Sequence, residues 1–226
     1  MSRPINFFAP SEWYHCYSRG IDKRIVFENV SDYQRFISLL YLTNTTTTLH
    51  RSNLKNLKYD ELFTVPRNEP LVDIGAYALM PNHFHLLLYE KRGGGISTFM
   101  QKLGTAYTMY FNIKRERSGG LFTKPFRARH ISDDNYFQYV IDYIHLNPLE
   151  LFGSGLKKYT PMSRRRLENK LVTKLKAYPF SSLPDFNGIL RPNKTILGKE
   201  VFEIYQNKTT KQMTENALAY TETFSD

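Results

Sequence analysis

His83 and His85 stand in the run Pro81-Asn82-His83-Phe84-His85-Leu86-Leu87-Leu88. Side chains alternate faces along a strand, so the two imidazoles project together while Phe84, Leu86 and Leu88 take the other face, which can bury. Paired imidazoles pack a core poorly but make a good half of a divalent-metal site. A second stripe lies on a later helix. Tyr136, Tyr143 and Asn147 fall about 90° from its apolar side on a helical wheel, with Tyr143 and Asn147 four apart and so adjacent. His145 falls roughly 160° from Tyr143 on that wheel and is not expected to share its site. His15, in a short aromatic run, reads as a structural histidine rather than a ligand.

These groups need elements to hold them. Trp13 to Ser18 reads as a first strand, ended by a turn at Arg19-Gly20-Ile21-Asp22. Ser31-Asp32 can cap a helix carrying Phe36, Leu39, Leu40 and Leu42. His50 to Pro70 has no clear period and reads as a loop or insertion. Val72 to Leu79 is a strand with Val72, Ile74, Ala76 and Ala78 on one face and Asp73, Gly75, Tyr77 and Leu79 on the other. Met80-Pro81-Asn82 turns it back into His83–Tyr89 as a hairpin. After Arg92-Gly93-Gly94-Gly95, Ser97 caps a helix whose stripe is Phe99, Leu103, Ala106, Tyr107, Tyr110 and Phe111. Phe126 to Ile131 can be a fourth strand. Ser132-Asp133-Asp134 opens the helix to Leu146, buried along Phe137, Val140, Ile141 and Ile144, with Pro148 as its stop. The order strand, helix, strand, strand, helix, strand, helix fits an α+β ferredoxin-like sandwich: a four-stranded antiparallel sheet with helices on one face, plus an extra helix.

The chain has 31 Lys and Arg against 21 Asp and Glu, a net charge of +10, which points to a polyanionic partner, with nucleic acid the leading one. Lys114, Arg115, Arg117, Lys124, Arg127 and Arg129 cluster among aromatics, a pattern that suits single-stranded DNA. Tyr178 to Ser182 is a compact turn-like segment. Lys157, Lys158, Arg164, Arg165, Arg166, Lys170, Lys174 and Lys176 form a second basic stretch. The expected organisation is a catalytic domain over 1–150 and a basic C-terminal extension over 151–226, its tail partly disordered. Cys16 is the only cysteine, which excludes a disulfide framework and a cysteine zinc cluster. No signal peptide is recognised at residues 1–10, and no run nears the ~20 apolar residues of a membrane span. The expected location is the cytoplasm, with no membrane partner.

Pro81-Asn82-His83-Phe84-His85-Leu86-Leu87 resembles the histidine–hydrophobe–histidine motif of the single-tyrosine transposases of the HUH endonuclease superfamily. Tyr143-Ile144-His145-Leu146-Asn147-Pro148 resembles their tyrosine helix, in the form most like the REP-associated tyrosine transposases. Tyr14 to Phe27 with Arg19-Gly20, Tyr110-Phe111-Asn112, Gly120-Leu121-Phe122 and Tyr178 to Ser182 extend the resemblance over roughly residues 12–188. It implies Tyr143 as nucleophile, Asn147 beside His83 and His85 as metal ligand where relatives carry Gln, Arg19 among the DNA contacts, and hairpin-forming DNA as substrate. The chemistry agrees. A phenol with a pKa near ~10 is a poor nucleophile, and a divalent cation on two histidines and one oxygen can polarise a phosphate for in-line attack. Nitrogen and oxygen ligands together admit Mg²⁺ or Mn²⁺. The expected activity is therefore a metal-dependent single-strand DNA nickase and strand transferase forming a 5′-phosphotyrosine, as monomer or homodimer. Tyr136 is the substitute nucleophile. The rivals are a non-catalytic nucleic-acid-binding module on this fold and a metal-dependent hydrolase that uses water.

Overall fold

The computed structural model describes residues 8–47, 54, 56–152, 173–206, 208, 209, 212 and 213. Strands β1 (Trp13–Arg19), β2 (Val72–Met80), β3 (His83–Glu90) and β4 (Arg127–His130) form one antiparallel sheet in the order β2-β3-β1-β4. Helix α1 (Val30–Leu42) joins β1 to β2, and α2 (Gly95–Lys114) joins β3 to β4. This is the expected ferredoxin-like α+β sandwich. The extra helix, α3 (Asp134–Leu146), follows β4.

The two sheet faces are buried differently. On one face α1 and α2 bring Phe36, Leu40, Phe99 and Tyr107 onto Cys16, Tyr77, Phe84 and Leu86. On the other, Phe137, Val140, Ile141 and Ile144 of α3 lie over Ala76, Ala78, Met80 and Leu87. The short alanines let this helix approach the strands closely. The faces of β2 are not set by plain alternation. A register shift between Ile74 and Ala76 makes a bulge at Gly75, so Ile74 joins Tyr77 and Leu79 under α1 and α2, apart from Ala76 and Ala78. Glycine is needed there because a Cβ would come within 2.8 Å of the Trp13 ring and 2.9 Å of Leu87.

Helix starts also differ from the local reading. Asn29 caps α1, accepting from the Asp32 N–H at 3.3 Å, in place of Ser31-Asp32. The α2 start is capped by Glu90, whose carboxylate accepts from the Gly95 and Ile96 N–H groups at 2.8 and 2.7 Å, rather than by Ser97. Asp133 caps α3 as expected.

The hairpin tip Pro81-Asn82 is clamped to the loop after β1. Pro81 O accepts from the N–H groups of Val26 and Phe27, and Asn82 O accepts from that of Gly20. Within the 50–70 segment, Asp60–Thr64 forms a 3₁₀ turn that buries Phe63. The later chain returns to the sheet. Phe180 O accepts from the Leu79 N–H, its ring stacks on Tyr33 at 4.0 Å, and α4 (Leu183–Phe186) and α5 (Glu200–Ile204) follow. Val201 and Tyr205 join the apolar cluster beneath α3. The basic run around Arg164, Arg165 and Arg166, and most of the tail, lie outside the described residues. No described helix is long and apolar enough to cross a membrane.

Candidate active site

The site lies on the α3 side of the sheet and follows from strand register. Directly opposed residues of antiparallel strands share a face, so His83 lies beside Arg19, and His85 beside Tyr17, which in turn faces Arg127. One pair further along, His15 faces Leu87 on one side and Arg129 on the other. Three imidazoles and three guanidinium groups thus belong to a single sheet surface.

Helix α3 supplies the rest. Tyr143 stands edge-on to His85, with ring centroids 5.5 Å apart, and to His15 at 5.8 Å. Pro148 does not end the helical path. Asn147 keeps right-handed helical angles and opens a 3₁₀ segment, Asn147–Phe152, so its side chain stays one turn beyond Tyr143. Asn147 Nδ2 donates to the Tyr143 carbonyl oxygen at 2.8 Å. A cavity of about 340 Å³ collects His83, His85, Tyr143, Asn147, Arg19 and Arg127. Tyr17, Thr123 and Glu150 also line it. Sequence reasoning overlooked all three, though the spacing of Glu150 three residues after Asn147 was a readable signal.

The electrostatics favour neutral imidazoles. Burial, helped by the Arg19 cation, lowers His83 to about 4. Burial and the neighbouring histidines hold His85 well below the ordinary histidine value. His15, 2 % exposed, is brought down to about 3 by burial and then by Arg129. Burial raises the Tyr143 phenol above its usual value, and a hydrogen bond with the Asn147 side chain partly offsets this. At neutral pH the pocket therefore presents uncharged imidazoles beside a protonated phenol.

The histidine pair suits a divalent cation. His83 Nδ1 lies 2.6 Å from Asn82 Oδ1, which only accepts, and Asn82 Nδ2 is turned the other way, onto Lys23 O at 3.2 Å. His83 therefore carries its proton on Nδ1 and leaves the Nε2 lone pair for a metal. His85 Nδ1 is 2.8 Å from His15 Nε2. Among the described residues no group of three His, Cys, Asp or Glu side chains is placed to hold a metal ion. Any metal here would rest on two imidazoles and a neutral oxygen such as that of Asn147, a set compatible with Mg²⁺ or Mn²⁺.

The other expected site residues divide. Arg19 and Arg127 line the pocket. Arg129 lies in the same surface beside His15, and the exposed Lys124 is one residue from Thr123 of the pocket. Lys114, Arg115 and Arg117 are not brought there. Lys114 Nζ reaches Asp32 Oδ1 at 2.7 Å, Arg115 pairs with Glu28 and Asp32 at 2.8 and 2.9 Å, and Arg117 donates to Asn112 Oδ1 at 2.7 Å. Lys114 and Arg115 tie α2 to the start of α1, and Arg117 closes the turn after α2. Tyr136 is not off the buried side of α3; it is 8 % exposed in the apolar cluster against the sheet. His145 is fully buried away from the pocket, with Nε2 2.8 Å from Ser182 Oγ.

A ferredoxin-like sheet with two strand histidines facing a helix tyrosine is the class of protein that fold and site define. The IS200-like transposase family model matches residues 39–147, a span that holds His83, His85, Tyr143 and Asn147. Over that span the chain is similar to this family of transposases. Among solved structures, a REP-associated tyrosine transposase bound to a REP hairpin has the same fold, with a TM-score of 0.53 and 10% identity over 93% of each chain. No curated protein matches.

Proposed function

We propose that this transposase is a metal-dependent single-strand DNA endonuclease and strand transferase, acting on hairpin-forming DNA with Tyr143 as nucleophile. The observation that carries the reading is the shared pocket, in which the Tyr143 ring stands 5.5 Å from that of His85 beside His83 and Asn147. His83 and His85 would hold Mg²⁺ or Mn²⁺ through Nε2, with the Asn147 side-chain oxygen as a third ligand. When bound, the cation supplies Lewis-acid polarisation of the scissile phosphate. A cation on these residues is also the use that accounts for two neutral imidazoles, His85 buried and His83 half-buried, turned to one cavity.

The chain's own groups do the remainder. Arg19 and Arg127 neutralise phosphates at the pocket wall and fix the strand across it. Tyr143, protonated at rest, gives up its proton to solvent as its oxygen bonds to phosphorus. The P–O3′ bond breaks, and the departing O3′ takes up a proton. The products are a 5′-phosphotyrosine and a free 3′-OH. One phosphoester replaces another, so rejoining to the same or a different 3′-OH needs no nucleotide cofactor. A hairpin substrate is supported by the solved structure of similar fold, which is bound to a REP hairpin, and by the net charge of +10.

Covalent trapping tests this. A 3′-end-labelled single strand containing an imperfect-palindrome hairpin is incubated with wild type, Tyr143→Phe and Tyr136→Phe, with and without EDTA. Wild type and Tyr136→Phe are expected to give a labelled protein adduct, which EDTA abolishes. Tyr143→Phe removes only the hydroxyl and should bind DNA without forming an adduct. An adduct with Tyr143→Phe overturns the nucleophile, and EDTA-resistant cleavage overturns the metal. Cleavage by every protein without an adduct makes water the nucleophile. Hairpin binding by wild type with neither cleavage nor adduct leaves a binding module.

A further inference from the structure

His15 has no part in the chemistry above, and a packing role does not explain it. The ring is 2 % exposed and makes one hydrogen bond, Nε2 to His85 Nδ1 at 2.8 Å, with the two rings tilted by only 24°. Its Nδ1 is buried with no hydrogen-bond partner. A buried polar atom left without a partner is destabilising. A phenylalanine would fill the same space among Tyr17, Tyr143 and His85 and leave no such atom. The one group a phenylalanine could not serve is His85 Nδ1.

A neutral imidazole has one N–H and one lone pair, so the contact between the rings admits two proton arrangements. In one, His15 Nε2–H donates, and His85 must carry its own proton on Nε2, the nitrogen a cation would need. In the other, His85 Nδ1–H donates to His15 Nε2, and His85 Nε2 keeps its lone pair. Only the second permits coordination through Nε2. It also makes His85 the counterpart of His83, whose Nδ1–H is held by Asn82 Oδ1 at 2.6 Å.

We propose that His15 is a positioning residue of the metal centre, whose Nε2 accepts the His85 Nδ1 proton and so fixes the ring and tautomer that offer Nε2 to a divalent cation. This rests on the metal-dependent reading of the same pocket. His15 reaches His85 diagonally across the β1–β3 ladder, since Tyr17 pairs with His85 and His15 with Leu87. Rigid strand backbone on both sides holds the donor and acceptor. Ligand histidines generally have such a partner on the second nitrogen, and losing it typically lowers metal affinity about 10–100-fold.

The test is Mn²⁺ affinity of the full chain without DNA, read as free Mn²⁺ by electron paramagnetic resonance, for wild type, His15→Phe and His15→Gln. His15→Phe is expected to bind Mn²⁺ about 10–100-fold more weakly. His15→Gln, which restores an acceptor oxygen, should recover most of that loss. Thermal unfolding and hairpin binding in EDTA should stay as in wild type for both. Wild-type Mn²⁺ affinity in His15→Phe overturns the proposal, as does a loss in His15→Gln equal to that in His15→Phe. Should His15→Phe not fold, nitrogen NMR of the wild-type imidazoles with Zn²⁺ bound decides. His85 protonated on Nδ1 supports the proposal, and a His15 Nε2 proton overturns it. Wild type with no Mn²⁺ binding that His83→Ala removes would instead overturn the metal reading itself, a separate outcome.

Discussion

Two basic regions that read alike along the chain do opposite work in the fold. At the end of α2, Lys114 and Arg115 converge on Asp32, whose side chain is fully buried, and Arg117 closes on Asn112 and the Gly120 carbonyl. At the pocket, Arg19 and Arg127 stand exposed beside the histidines, and no described acidic side chain pairs with them. The first region has its anions built in and joins two helices. The second, though Glu150 lines the same pocket, leaves its arginines without an ion pair among the described residues and is open to an outside polyanion. Charge density along the sequence does not tell a fastening from a binding surface; the presence of a buried counter-charge does.

The sharpest break of this contrast is at Asp32. Asp32→Ala removes the buried acceptor shared by Lys114, Arg115 and the Tyr110 hydroxyl, leaving Arg115 with Glu28 alone, and should cost about 3 kcal/mol of stability by urea denaturation, while adduct formation per folded molecule stays unchanged. A pH arm sharpens it. Burial alone would raise the Asp32 carboxyl, but hydrogen bonds from Lys114, the Glu28 N–H and Tyr110, with the Arg115 charge, outweigh it and hold the group below its ordinary 3.8. Its folded value is thus below the unfolded one, so its contribution is complete above about pH 4 and lost as pH falls through the folded value. Wild type should lose stability over that acid range more steeply than Asp32→Ala. Equal steepness would remove Asp32 as the fastening.

A smaller effect is expected in the pocket. Arg19→Ala with Arg127→Ala should leave unfolding unchanged but weaken hairpin binding about tenfold and flatten the log–log salt dependence by roughly 1.5–2. An unaltered slope would take both arginines off the DNA. The smallest effect belongs to Arg117→Ala, with hairpin affinity within about twofold of wild type and the salt slope unmoved, since its guanidinium is engaged within the chain. A slope reduced by about 1 would return Arg117 to the DNA surface and end the contrast.

What the sequence disclosed was local. The element order, the hairpin at Pro81-Asn82 and the apolar side of α3 depend on periodicity and turn residues, and all are present in the fold, though Met80 belongs to the strand rather than to the turn. The Gly75 bulge was hidden because it answers the Trp13 ring and the Leu87 side chain on other strands. The cap on α2 was hidden because Glu90 acts from the end of β3 rather than from the helix itself. The fastening role of Lys114 and Arg115 depends on acids more than eighty residues away in sequence. His15 read as structural because only the β1–β3 register reveals that its nitrogen meets His85. Tyr136 shares the Tyr143 stripe on a helical wheel, and only the packing of α3 on the sheet separates the buried Tyr136 from the pocket.

The place of β1 has a consequence for folding order. Among the described strands it alone touches both β3 and β4, yet it precedes the 39–147 span of the family match. Deleting it would leave β4 with no neighbour to join and would remove Arg19 and His15 from the histidine surface. The recognisable segment is therefore not an autonomous folding unit. The pocket closes only after contacts spanning some seventy residues have formed, so loop-closure entropy is met before any part of the centre exists. A nascent chain would thus carry the complete histidine motif long before it had a surface able to use it.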